Sequence, residues 1–260
     1  MRCLTLSDQL RSLGLGAGDS VLVHSSLRAV GPVDGGADAV VDALLEVVEP
    51  EGLLMVPTFT YNTARFDPAT EPGQTGAVAE AVRRRPGAVR SRHPTHSVAA
   101  LGSGAAEVCA DHEQVAAADP GSPFDRLARR DGWVLLLGVG HVANTIVHLG
   151  EFRTRPRYIE LQPSTAWPRT HEVVCDGVTR TFSYDRFAGC SRAFGCVERG
   201  LRERSLIRDG RVGRAEAQLV RAEAVAEETV ALLRRDEHSL LCTDTRPEHR
   251  CARARGGSCL

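Results

Sequence analysis

The chain has 260 residues, 42% hydrophobic and 25% charged, with a formal net charge of −1. That is enough apolar material for a sizeable core, and the balanced charge argues against a nucleic-acid coat or a polybasic membrane surface. No apolar run approaches the roughly 20 residues that span a bilayer, and Met1 to Asp8 carry no apolar signal core, so a cytoplasmic protein is expected.

All 32 basic residues are Arg. With no Lys, Schiff-base chemistry and a P-loop lysine are excluded. The eight cysteines include no CxxC pair and are expected to be reduced thiols. His238, Cys242, His249 and Cys251 are ligand-type residues, but their spacing is irregular and their surroundings are rich in Arg, Asp and Thr. No metal is expected there.

In chain order, residues 7–14 read as a short helix with Ser7 as N-cap and Gly14 as terminator. Ser20 to His24 is a buried strand, and Ala37 to Val48 a helix with apolar residues at helical spacing. Leu53 to Val56 is a second buried strand stopped by Pro57, which completes a βαβ unit. Gly76 to Arg85 reads as helix, Ser97 to Leu101 as strand, and Gly104 to His112 and Pro123 to Arg130 as helices. Trp133 to Gly138 is an apolar strand, and His171 to Tyr184 a hairpin turning at Asp176-Gly177. Helices over Ala193–Glu203 and Ala222–Leu233 close the pattern.

The fold predicted is α/β: one domain over residues 1–235, with a mainly parallel central sheet flanked by helices and a β-hairpin excursion. Residues 236–260 lack periodic apolar positions and are expected to form a disordered tail.

Charge is uneven. Residues 1–80 carry a net −7, whereas residues 81–93 carry five Arg and no acid. An acidic region beside a basic one suits a cationic and an anionic ligand held side by side.

Polar residues that follow apolar strands mark where open α/β sheets build their sites. Here they are His24-Ser25-Ser26-Leu27 with Gly31, the run Arg90-Ser91-Arg92-His93-Pro94-Thr95-His96-Ser97, Ser122-Pro123, and Asn144-Thr145 with His148-Leu149-Gly150-Glu151. Together with Val56-Pro57-Thr58-Phe59, Phe66-Asp67-Pro68 and Gly210 to Ala215, this ordered set resembles the aminoglycoside 3-N-acetyltransferase family, the antibiotic N-acetyltransferases that do not have the GNAT fold. The resemblance runs from about Leu6 to Leu233.

The resemblance implies acetyl transfer from acetyl-CoA to an amine of a polycationic 2-deoxystreptamine aminoglycoside, in a monomer or homodimer with no metal, no membrane and no nucleic acid. It places Ser25, Ser26, Leu27, Gly31, Arg90, Ser91, Arg92, Pro94, His96 and Ser97 at acetyl-CoA. Arg90 and Arg92 would meet its phosphates, with Arg83 to Arg85 as further candidates. His148 matches the family's HLxE histidine and is the expected general base. Asp185 is the acid expected to orient it, with Glu198 and Glu151 as alternatives. Thr145 and the backbone near Leu27 are candidates to stabilise the thioester oxyanion. Asp67, Glu151, Tyr61 and Asn144 are expected to face the acceptor.

Three other readings remain open from the sequence. One is an acetyltransferase acting on another natural-product amine. Another is a metallohydrolase using His93, His96, His148 and Asp67. The third is a binding module that sequesters drug or CoA without turnover. No cysteine lies in these motif segments, which points to direct transfer without an acyl-enzyme.

Overall fold

A computed structural model describes residues 4–60, 63–160, 169–184 and 189–256. Helix α1 (Leu6–Leu13) leads into β1 (Ser20–Ser25), the one-turn α2 (Leu27–Val30), α3 (Gly36–Val48) and β2 (Leu53–Pro57). Next come β3 (Arg65–Phe66), α4 (Ala77–Arg84), β4 (Val89–Arg90), β5 (Val98–Gly102), α5 (Ala105–Cys109), α6 (Pro123–Arg129) and β6 (Trp133–Leu137). Helix α7 (Ile146–Thr154) precedes the hairpin β7 (Thr170–Cys175) and β8 (Val178–Ser183). Then follow α8 (Val197–Glu203), β9 (Arg208–Val212), β10 (Ala215–Arg221), α9 (Ala222–Arg235) and α10 (Arg250–Arg255).

The main sheet has seven strands in the order β4-β5-β2-β1-β6-β10-β9. Strands β2, β1 and β6 are parallel neighbours, while β5 and β10 run against them, so five of the seven strands share one direction. Alternation along the strands divides the core. Val21, Val23, Leu54 and Val56 face α3 and α4, whereas Leu22, Leu53, Met55, Val134 and Leu136 pack towards α6, α7 and α9. Both faces of the sheet are therefore covered by helices, as expected of an α/β domain.

The hairpin turns at Asp176 (φ 52°) and Gly177 (φ 79°), where two left-handed residues match the strand twist. With β3 it makes a separate three-stranded sheet. Phe66, Val173 and Cys175 fill a small core beneath that sheet.

Several expectations need correction. The N-cap of α1 is Thr5, which forms a capping box with Asp8, while the Ser7 hydroxyl donates to Glu46 Oε2 at 2.7 Å. Strands β9 and β10 are additions to the expected pattern, although β10 alternates buried Ala215, Ala217 and Leu219 with Glu216 and Gln218. Helix α7 is a further addition. Residues Ile146 to Phe152 are all buried, so the helix has no polar face to reveal its period. Gly150 permits that burial, because a Cβ there would lie 2.3 Å from the Cβ of Thr229 on α9.

The disordered tail is also corrected. Leu240, Leu241, Cys242 and Cys251 are buried in the main core, and α10 carries Cys251 into it. These apolar positions follow no helical or strand period, so periodicity does not reveal them. No helix among the described residues is long and apolar enough to cross a membrane.

Candidate active site

The three parallel strands end together. Ser25 closes β1, Pro57 closes β2 and Val139 follows β6, and all three line a cleft of about 390 Å³. Ligands bind at this position in open α/β sheets, outside the carboxyl ends of the strands. The volume falls within the usual range for a small-molecule site. Phe59, His96, Asn144, Thr145, His148, Gly189, Phe194 and Arg250 complete much of its wall. No cysteine lines this cleft among the described residues.

Helix α7 begins at this wall. Asn144 Oδ1 accepts the Ile146 N–H at 3.1 Å, and the Thr145 N–H donates to His24 Nε2 at 3.3 Å. These bonds fix the first turn of α7 against the end of β1. One turn on, His148 and Glu151 stand three residues apart on the same helical face. His148 Nδ1 lies 2.5 Å from Glu151 Oε2. A carboxylate acceptor at Nδ1 pairs with the Nδ1–H tautomer, which leaves the Nε2 lone pair free of this contact. The imidazole packs edge-on against Phe194, with ring centroids 4.7 Å apart, and meets His96 at 6.1 Å.

Glu151 is fully buried and well supplied with donors. The Tyr158 hydroxyl donates to Oε1 at 2.7 Å, and the Gly189 N–H to Oε2 at 3.4 Å. Residue 189 must be glycine for this approach, because a Cβ would stand 2.3 Å from Glu151 Oε1. A buried carboxylate with three donors is satisfied and fixed in place.

The neighbouring histidines are neutral. Burial pushes His24 down to about 3, with His141 adding to the effect. Burial also holds His96 well below the usual imidazole range, and His148 beside it acts in the same direction. His93 is lowered by burial and then by His112.

The structure sorts the residues expected from the sequence. His148, Thr145, Asn144, His96 and Ser25 meet at the cleft. Ser26 caps α2, its side chain accepting from the Ala29 N–H, with Leu27 next to it. Gly31 adopts φ 87° at the end of α2, packed against the Arg214 side chain. Asp185 and Tyr61 lie outside the described residues.

The basic segment does not form an open anion cradle. Arg90 donates through Nε, Nη1 and Nη2 to Thr58, Ser97, Pro68 and Glu71, and its guanidinium covers the Phe66 ring. Arg92 is paired with Asp176 on the hairpin. Arg83 is held by Glu80, and Arg85 by Asp38 and Asp42. Ser91 and Ser97 are fully buried: Ser91 bonds to His112 Nδ1 at 2.9 Å and Ser97 to the Thr58 carbonyl at 2.8 Å. The Pro94 carbonyl accepts from the Thr60 hydroxyl. These residues brace the hairpin and the β4–β5 turn.

Two acceptor-facing expectations also change. Glu151 is taken up by His148 and Tyr158. Asp67 accepts the Ala69 N–H at 3.0 Å in a turn after β3 and is not among the residues lining the cleft. The metallohydrolase set does not converge. His93 Nδ1 accepts backbone N–H groups from Thr95 and His96 while its ring stacks near Tyr184. Tyr158, Gly189, Phe194 and Arg250 are parts of the site that sequence reasoning missed. The His148–Glu151 spacing carries the one available signal, once a helix is assigned there.

A carboxylate-paired imidazole thus stands at the carboxyl end of a parallel sheet, where α/β enzymes bind their ligands. Comparisons with known proteins make the class specific. A family model described as Aminoglycoside 3-N-acetyltransferase matches residues 22–234. Aminoglycoside N(3)-acetyltransferase IV from Salmonella sp is 36% identical over 234 residues, covering 89% of this chain and 87% of the relative. The crystal structure of aminoglycoside acetyltransferase AAC(3)-IVa, a histidine-to-alanine variant in complex with a gentamicin, matches with TM-score 0.86 and 32% identity over 99% of both chains. AAC-IIIb, solved as a binary complex with CoASH, matches with TM-score 0.74 and 25% identity, covering 88% of this chain and 95% of that one. The chain belongs to the aminoglycoside 3-N-acetyltransferase family, and it is an acyltransferase.

Proposed function

We propose that this enzyme transfers acetyl directly from acetyl-CoA to the 3-amino group of a 2-deoxystreptamine aminoglycoside, with His148 as general base. The observation that carries this reading is the His148–Glu151 pair, whose basic Nε2 belongs to a side chain lining the cleft. The relatives support the two ligands: one was solved with a gentamicin and another with CoASH.

The residues present suit acetyl-CoA at the mouth of the parallel sheet. Ser25, Asn144 and Thr145 offer polar groups to an amide-bearing arm, and Phe59 and Val139 offer apolar wall. His148 Nε2 takes the proton from the acceptor's ammonium, and the freed amine attacks the thioester carbonyl carbon. Thr145, at the N-terminal end of α7, faces the oxygen where negative charge develops. As the carbon–sulfur bond breaks, the imidazolium returns its proton to the departing sulfur. The second proton on nitrogen is lost to water, leaving an amide and free CoA thiol. Glu151 stabilises the imidazolium formed in this sequence. No cysteine is needed.

The test is a thiol-release assay of acetyl-CoA against a panel of aminoglycosides, with the product's acetylated position read by mass spectrometry. Turnover with acetylation at the 3-amino group is the expected result. Turnover restricted to an uncharged amine, or binding of both ligands without thiol release, would contradict the proposal.

A further inference from the structure

Outside the cleft, one cluster of side chains has no role in the chemistry above. Cys190 precedes α8, while Cys242, His249 and Cys251 come from the C-terminal segment. Ligand atoms of Cys190, Cys242 and His249 all lie within 4.8 Å of one another. The Cys190 and Cys242 sulfurs are 3.8 Å apart, and the Cys242 sulfur is 4.0 Å from His249 Nδ1. Cys251, fully buried two residues beyond His249, is the remaining ligand-type side chain of this segment. We propose that Cys190, Cys242, His249 and Cys251 bind one structural zinc ion that clamps the C-terminal segment to the wall of the catalytic cleft.

The geometry favours a metal over a disulfide. A disulfide brings two sulfurs to about 2.05 Å. Two thiolates on one tetrahedral zinc, each with a zinc–sulfur bond of about 2.3 Å, stand about 3.8 Å apart. That is the separation found between Cys190 and Cys242. Two sulfurs and one imidazole already converge, and Cys251 would supply the fourth ligand of a closed set, the form of a structural site rather than a catalytic one. His249 Nδ1 accepts the Cys251 N–H at 3.2 Å, and the metal would take over that lone pair. The other ring nitrogen, Nε2, lies 3.8 Å from Asp244 Oδ2, within ion-pair range of a carboxylate on the same segment.

Charge fits as well. Three thiolates around a dication leave one net negative charge, and the surrounding chain is rich in Arg. Arg255 donates to the Cys242 carbonyl and, at 2.7 Å, to that of Leu241. Arg246 and Arg192 hold Asp244.

The clamp bears on the active site at two points. Gly189, adjacent to Cys190, donates to Glu151. Arg250 lies between the ligands His249 and Cys251 and lines the cleft. Fixing three neighbours of these two residues holds the back of the His148–Glu151 pair and one cationic wall in register.

The test is elemental analysis of the purified full-length protein, together with thiol alkylation read by mass spectrometry. About one zinc per chain is expected. The metal should shield Cys190, Cys242 and Cys251 from alkylation while the exposed Cys196 reacts. Replacing zinc with cobalt(II) should give thiolate charge-transfer bands and the intense visible bands of a tetrahedral site. Cys242→Ser should lose the metal, whereas Cys196→Ser should keep it. Should Cys242→Ser fail to fold, chelation of the wild type provides the second readout: the three shielded thiols become reactive and the melting temperature falls. Less than about a tenth of an equivalent of zinc after refolding with zinc present would overturn the proposal. So would a Cys190–Cys242 disulfide in the isolated protein, or bound zinc that leaves all three thiols reactive.

Discussion

Glu151 and His148 form a buried pair in which the imidazole Nδ1 lies 2.5 Å from a fully buried carboxylate oxygen. The carboxylate accepts from the Tyr158 hydroxyl and the Gly189 N–H besides, so it cannot turn away from the ring without leaving donors unpaired. The His148 ring is therefore held by a carboxylate from its own helix.

Replacing that carboxylate should cost turnover more than binding. Glu151→Gln removes the charge that stabilises the imidazolium and allows the ring to take the wrong tautomer. We expect kcat to fall by roughly 10²-fold or more with the KM for acetyl-CoA nearly unchanged. Glu151→Gln combined with His148→Ala should be no slower than His148→Ala alone, because the two residues act as a unit. Steady-state kinetics of the three variants checks both points.

Tyr158→Phe removes one of the donors to Glu151 while keeping the ring. An unpaired buried acceptor costs about 1–3 kcal/mol, so the melting temperature should drop measurably and kcat should fall less than in Glu151→Gln. An unchanged melting temperature would show that water replaces the hydroxyl.

Buried neutral histidines predict acid sensitivity. Burial holds His24 and His112 at about 3, and His93 and His96 well below the unfolded value of 6.5. Below about pH 6.5 the unfolded chain takes up protons at these positions that the folded chain does not. Stability is then fully present above pH 6.5 and declines as pH falls towards 3, by up to about 1.4 kcal/mol per pH unit for each histidine. Melting temperature should be highest near neutral pH and drop by several degrees at about pH 5. A flat profile between these values would contradict the assignment of neutral imidazoles.

Truncation after Arg235 tests the C-terminal segment. The loss of buried Leu240, Leu241, Cys242 and Cys251 exposes the core surface they cover. Each fully buried Leu is worth roughly 1.5–3 kcal/mol, and each kcal/mol shifts the melting temperature of a domain this size by about 2–4 °C. A fall of at least about 5 °C is expected, with reduced turnover because Arg250 leaves the cleft. Unchanged stability would return this segment to the status of a tail.

The layered α/β architecture is legible because β1, β2 and β6 are short apolar runs bounded by Gly and Pro, and α3 is plainly amphipathic. The hairpin is legible from Asp176-Gly177. Helix α7 is not, since burial on every side erases the period that reveals a helix. The site is half legible. His148, Thr145 and Asn144 follow β6 in sequence and lie together in space. Arg90 and Arg92 mislead, because sequence shows their charge but not Phe66, Asp176 and the carbonyl groups that engage it. The cysteine–histidine cluster draws Cys190 from one segment and Cys242 and His249 from the C-terminal one, so spacing alone does not assemble it.

His148→Ala is the most direct test of the central claim. With its Nε2 as the only base on the proposed path, the variant should lose roughly 10²–10⁴ in kcat, while acetyl-CoA binding measured by calorimetry stays nearly intact. Retention of more than about a tenth of kcat would assign the proton transfer to another group.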